Sequence, residues 1–438
     1  MAARGWLRRR LNTWDIYALV HHDSQSTFYL MAGYILLSAG QYGFLVVLYS
    51  AALLASVALA YGEMGSRFPE TGGSYLHVKV GLGSLSAFTA VWLLSIDQVI
   101  MVGYGTLDAT KYILSYFGLN LPPQAVAIAM STALYVLTLI GIRESSRVGL
   151  SVFLLEFAVL STLLTLAFIK FGSPPPFFRW GNVSASNLLY ALSLASRGYT
   201  GIDAIGQLAG EATAPLIQIP RAAMIAAIVG TSYGTLLSSA IMSALAPSEI
   251  GDPALVMLDL ARKTAWWLVT PVFLVVVLIM LMAAVTGYVA FARLVYILAE
   301  EKLLPPLFSR VHKRFRTPYV GLTMTYIVSI LFLLPGEIQL LVDIYAVGSL
   351  INYFMIALSL GLVTRRGIFY SAFRSPRIKG LPLTSILAMA FTATGLVFTF
   401  AEKWPYLWFL GLWLALGYLL YFTALRRQRT SGAGAEQI

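Results

Sequence analysis

The sequence predicts an all-α polytopic membrane protein with twelve transmembrane helices. Three observations predict it: apolar runs of about twenty residues recur along the chain, hydrophobic residues make up 58% of it against 11% charged, and the mean hydropathy is +0.78. A soluble domain carries roughly a quarter charged residues. In lipid, main-chain polar groups are satisfied only inside helices or a closed barrel, and barrel strands would be shorter and alternate in polarity.

Reading apolar runs between Gly, Pro and charge clusters places six spans in a first half, at Trp14–Gly40, Tyr42–Gly62, Leu85–Tyr116, Gln124–Ile142, Val148–Phe171 and Asn187–Gln207. Six more follow at Ala222–Ala246, Ala265–Leu298, Tyr319–Leu334, Ile338–Val363, Leu383–Phe400 and Tyr406–Leu425. Most of the 30 Lys and Arg fall on one side of this layout, which puts both termini in the cytoplasm of a cell-membrane protein. The pI near 9.7 then reflects topology, with the anionic lipid bilayer as partner and no nucleic acid expected. The arm bearing Arg4, Arg8, Arg9 and Arg10 runs into a span without a small-residue cleavage pattern, so no removable signal is expected, and the tail after Arg429 reads as disordered.

Zero cysteines exclude disulfides and thiolate metal sites, and the four histidines form no HExxH-type pair. No phosphate loop is present, so the energy source expected is an ion gradient rather than ATP. The sequence implies no cofactor, no resident metal and no enzymatic chemistry.

Two spans break the apolar pattern. Span one carries His21-His22-Asp23-Ser24-Gln25-Ser26-Thr27, and span six carries Ser196-Arg197-Gly198-Tyr199-Thr200-Gly201-Ile202-Asp203 with Gly206 beyond. Intramembrane charge is costly and glycine weakens a helix. Two such breaks at corresponding places in five-span halves point to an inverted-repeat transporter whose discontinuous helices hold the substrate near the midplane. The plainer alternative is a pair of kinked helices whose polar residues are satisfied by neighbours.

Three stretches carry a resemblance to a known family. Glu63, Arg67, Pro69, Gly72-Gly73 and Tyr75 follow an E-x-x-x-R-x-P-x-x-G-G-x-Y pattern. Gly210-Glu211, Pro215 and Ile219-Pro220-Arg221-Ala222 form a second stretch, and Arg293 to Tyr296, Leu303-Leu304-Pro305 and Thr317-Pro318 a third. Over nearly its whole length the chain resembles the amino acid–polyamine–organocation (APC) permease superfamily. That resemblance implies a leucine-transporter-like fold: a first five-helix repeat at 14–171, a second, inverted repeat at 187–363, and two additional helices at 383–425, between a cytoplasmic basic arm (1–13) and tail (426–438). It also implies unwound helices one and six and alternating access, commonly driven by protons.

The family's glycine-containing first-helix motif aligns with Ser26-Thr27-Phe28, where both glycines are missing. Asp23 and Tyr199-Thr200-Gly201-Ile202-Asp203-Ala204 are similar instead to patterns of the superfamily's potassium–proton symporter branch, and make Asp23, Thr200 and Asp203 an alternative potassium site. Where many proton-coupled relatives carry lysine, this chain has Glu156, either a proton carrier or a structural partner for Arg197. Arg197 would cost roughly 2.5–3.5 kcal/mol to bury alone, so it needs an anion. Asp97 and Tyr104 share a face of span three, while Asp108 and Lys111 read as a local i, i+3 pair.

The resulting expectation is a proton-coupled permease for an amino acid or related amine. Ser24, Gln25, Ser26 and Thr27 with Asp23 would meet one end of the solute, and Tyr199, Thr200, Gly201 and Asp203 the other. Asp97, Tyr104 and Thr286 complete the lining, and Glu156 and Arg197 couple the proton. Potassium–proton symport is the second expectation, and a non-transporting sensor on the same scaffold the third.

Overall fold

The computed structural model describes residues 11–68, 70, 72–141, 145–172, 180–198, 201–335, 347–367 and 371–430. The first ten helices are α1 (Thr13–Ala39), α2 (Gly43–Arg67), α3 (Gly73–Leu82), α4 (Ser84–Phe117), α5 (Pro123–Ile140), α6 (Ser145–Phe171), α7 (Ala185–Ala195), α8 (Asp203–Gln207), α9 (Pro215–Ile225) and α10 (Thr231–Ala244). They are followed by α11 (Val256–Thr264), α12 (Val269–Glu300), α13 (Tyr319–Leu333), α14 (Val347–Arg365), α15 (Leu383–Lys403) and α16 (Leu407–Thr430). A two-stranded antiparallel ribbon, β1 (Arg377–Ile378) and β2 (Leu381–Pro382), sits before α15.

Among the described residues, nine apolar helical stretches are long enough to cross a membrane, the first of which, Thr13–Arg67, holds both α1 and α2. Ala185–Ala195 and Tyr319–Leu333 are shorter apolar helices. The chain is therefore an all-α multi-pass membrane protein.

The α1 helix starts where Asn12 Oδ1 accepts from the main-chain N–H of Trp14 (2.8 Å) and Asp15 (3.1 Å), while Asp15 Oδ2 accepts from the Asn12 N–H (3.0 Å). This reciprocal box satisfies main-chain donors that a helix start leaves open. Every residue from Ile16 to Gly33 is buried, so α1 is the central post of the bundle, packed by α2, α6, α7, α9 and α12. The α4 helix lies along α12, and α16 is fixed to it by a reciprocal pair: Trp92 Nε1 donates to Trp413 O (2.7 Å) and Trp413 Nε1 to Trp92 O (2.8 Å), with the rings stacked. Trp266, Trp404 and Trp408 stay exposed at helix ends, where interfacial aromatics are expected.

One expectation is overturned. Helix one is not discontinuous: α1 runs unbroken through all seven polar residues. Ser24 Oγ bonds back to Val20 O (3.1 Å), Ser26 Oγ to Asp23 O (2.9 Å) and Thr27 Oγ1 to Asp23 O (3.2 Å). Hydroxyls satisfied on their own helix impose no unwinding, and there is no glycine between Val20 and Ala32 to invite it. Span six does break, between α7 and α8.

Candidate functional site

The α7 helix stops at Ala195, passes through a turn at Ser196–Gly198, and α8 begins at Asp203. The first half is closed off by α2: Ser50 Oγ donates to Ala195 O (2.5 Å), and Tyr49 OH lies 3.1 Å from Ser196 Oγ. Tyr199 and Thr200 lie outside the described residues. Gly201 follows with φ +92°, a conformation that side chains disfavour. A Cβ at this position would fall onto the carboxyl of Asp23 from α1. Arg197 is buried in the same turn.

Asp23 is 1% exposed, and its Oδ1 has no hydrogen-bond partner among the described residues. Asp203, by contrast, is saturated. Its Oδ1 accepts from Tyr353 OH (3.2 Å), and its Oδ2 accepts from Gln207 Nε2 (2.6 Å) and Gln98 Nε2 (3.3 Å). Tyr353 OH in turn accepts from Gly201 N (3.1 Å), so α14 holds the α8 side of the break through one phenol.

The two candidates on α4 serve different neighbours. Tyr104 OH shares a 2.7 Å bond with Thr27 Oγ1, linking α4 to α1. Asp97 Oδ2 accepts from Ser349 N (2.6 Å) in the first turn of α14, where a carboxylate satisfies an otherwise open amide and the helix dipole. Gln25 is fully buried beside the π turn Ala226–Gly230 that joins α9 to α10. Neither of its amide atoms is hydrogen-bonded among the described residues. Thr286 Oγ1 returns to Met282 O (3.1 Å) and lines a cavity of ≈ 30 Å³ with Leu19, Gln207 and Arg293. That is room for about two waters.

Glu156 is fully buried on α6 and reaches back to α1. His21 Nε2 lies 2.8 Å from its Oε2, Tyr29 OH donates to its Oε1, and Tyr17 OH is 2.8 Å from His21 Nδ1. Sequence reasoning missed His21 as this partner; its signal was a histidine placed mid-span.

Residues of the motif stretches tie the α3 end of the bundle. Glu63 pairs with Arg67 (2.7 Å) and also accepts from Ser375 Oγ (2.8 Å) and Thr384 Oγ1 (2.9 Å). Arg293 pairs with Glu211 (2.7 Å), which brings the second and third motif stretches together, and Lys79 pairs with Glu301 (2.5 Å). The expected Asp108–Lys111 pair does not form: Lys111 Nζ turns to Asp252 (3.3 Å) between α10 and α11. No group of three or more His, Asp or Glu among the described residues is placed to hold a metal ion.

Among the described residues the site brings together the break between α7 and α8, the buried Asp23 carboxyl with its open Oδ1, and the Glu156–His21 and Arg293–Glu211 contacts. The chain is 26% identical to the methylthioribose transporter of Bacillus subtilis over 406 residues, covering 85% of this chain and 83% of that protein. It is 24% identical to the branched-chain amino acid permease of the same organism, over 84% of this chain and 83% of the relative. It is 25% identical to cationic amino acid transporter 4 of Mus musculus, over 81% of this chain and 59% of that one. Residues 11–421 match the amino acid permease family, so the chain belongs to that family of transporters, within the APC superfamily, and is not an enzyme.

Proposed function

We propose that the protein is a proton-coupled permease for an amino acid or related amine, working by alternating access in the cell membrane with both termini in the cytoplasm. In this reading twelve helices form two inverted five-helix repeats plus two. The observation that carries it is the break between α7 and α8 lying against Asp23, a buried carboxyl with one oxygen open among the described residues. Such discontinuities at mid-depth are where secondary transporters bind their solute.

Because α1 is continuous, with the Ser24 and Ser26 hydroxyls bonded within it and Thr27 shared between Asp23 O and Tyr104 OH, α1 offers the solute the Asp23 carboxylate rather than exposed amides. The ammonium end of the solute then sits against Asp23, and the other end against the 196–202 segment near Arg197. Glu156 carries the coupled proton. Its bonds to His21 and Tyr29 tie α6 to α1, and a change in its proton occupancy loosens that tie and lets the helices part.

Potassium–proton symport is the second reading, favoured by the open Asp23 oxygen. Against it, three donors already occupy Asp203, so an oxygen cage would first have to displace them. Purified protein in liposomes decides: uptake of labelled leucine or arginine stimulated by an inward proton gradient supports the permease, proton-linked potassium flux supports the alternative, and neither flux overturns both.

A further inference from the structure

Asp108 takes no part in the mechanism above, yet it is fully buried on α4 and neither of its carboxyl oxygens has a hydrogen-bond partner among the described residues. One turn on, Lys111 is drawn to Asp252 at 3.3 Å, and Tyr112 OH donates to Ala254 O at 2.9 Å. Asp252 Oδ1 also caps the short turn Pro253–Leu255 by accepting from Ala254 N (3.0 Å). That turn is seated directly on α1: a Cβ at Gly33 would fall 2.1 Å from Pro253 O. In the proposed orientation this is the outer end of the bundle.

We propose that Asp108 is a second proton site, whose occupancy is set by whether the Pro253–Leu255 turn is seated. Lys111 has two carboxylates within reach, Asp252 on the turn and Asp108 three positions back on its own helix. With the turn seated, Lys111 belongs to Asp252, and Asp108, buried without a donor, takes a proton from the outer solution as its counter-charge. When the turn lifts, Lys111 swings back to Asp108 and the proton returns to solution. Seating therefore consumes one proton and is favoured by outer acidity.

The charged groups acting on Asp108 are Lys111 and Asp252, while Asp259 acts on the neighbouring Tyr112. Two other carboxyls of this outer segment are accounted for. Glu249 is held below its usual range by the Ala246 N–H and by Lys263, so it stays charged in mild acid. Asp259 is pushed up by burial, against the pull of Arg262, and is the control.

The chain has no cysteine, so a single introduced one reports without background. Ala254 is fully buried when the turn is seated and Ser248 is exposed. In lipid nanodiscs, the rate at which a soluble maleimide labels Ala254→Cys, divided by the rate at Ser248→Cys, should rise with pH between about 5 and 8, by up to about tenfold per unit for one linked proton. Asp108→Asn should leave labelling slow and independent of pH, Asp252→Asn should leave it fast and independent of pH, and Asp259→Asn should keep the dependence. A flat profile in the parent, or a profile that survives Asp108→Asn, overturns the proposal. Should Asp108→Asn fail to fold, slow labelling in Asp252→Asn overturns it equally.

Discussion

Gly201 rests on the carboxyl of Asp23 so closely that a Cβ built at 201 would lie 2.1 Å from Asp23 Cγ and 2.2 Å from Oδ2. The break in the second half and the charged residue on the continuous first helix are thus one structural unit. Gly201→Ala would have to displace Asp23 and also hold φ +92°. Sparsely populated backbone regions cost on the order of 1–3 kcal/mol each. Solute uptake in liposomes should be lost while the protein still inserts and purifies; an alanine variant with parental uptake would place the solute elsewhere.

Glu156→Gln keeps a polar side chain of the same shape between His21 and Tyr29 but can no longer gain or lose a proton. Uptake should persist as exchange down a solute gradient, while stimulation by an inward proton gradient disappears. His21→Gln should weaken that stimulation without abolishing it, because Tyr29 still holds Glu156 to α1. Proton-driven uptake at the parental rate in Glu156→Gln would remove this carboxyl from the coupling.

The Arg293–Glu211 pair joins α12 to the segment after α8, with side chains only 11% and 13% exposed. Removing one partner of a pair so enclosed leaves a charge without its counter-ion, a loss of about 3–5 kcal/mol. Arg293→Ala and Glu211→Ala should each lower the thermal unfolding midpoint. The exchange Arg293→Glu with Glu211→Arg should recover most of the loss, and independent, additive effects of the two alanines would show that the pair contributes nothing.

Much of this was legible in the residues, for physical reasons. Helix positions follow from hydropathy, so the run read at Leu85–Tyr116 is found as Ser84–Phe117. The break at span six follows from helix-weakening glycines placed beside intramembrane charge. Span one misled because polar residues mark cost and not geometry: serine and threonine hydroxyls reached their own carbonyls and left the helix intact. Partners far apart in the chain were invisible. Nothing local to His21 points to Glu156, and Lys111 had a carboxylate three positions away yet chose Asp252, because the seated turn brings that one closer. Tyr199 and Thr200, also expected at the site, lie outside the described residues and keep the standing of a proposal.

Glu63 gathers the chain beyond α14 onto the end of α2. One carboxyl oxygen holds Arg67, and the other takes Ser375 Oγ, Ser375 N and Thr384 Oγ1, so the ribbon β1–β2 and the start of α15 are pinned through a single side chain. Glu63→Ala removes all of these acceptors and leaves Arg67, itself 8% exposed, without its carboxylate. The segment from Ser371 to Pro382 should then lift from the bundle, so that the chain at Arg374, Arg377 and Lys379, already exposed at the surface, can extend into the active site of trypsin. Cleavage at these positions should be faster than in the parent, with Glu63→Gln intermediate because its amide oxygen can still accept from Ser375 or Thr384. Equal cleavage rates in all three proteins would mean that the ribbon is held by its other contacts, and that the Glu63–Arg67 pair acts within α2 alone.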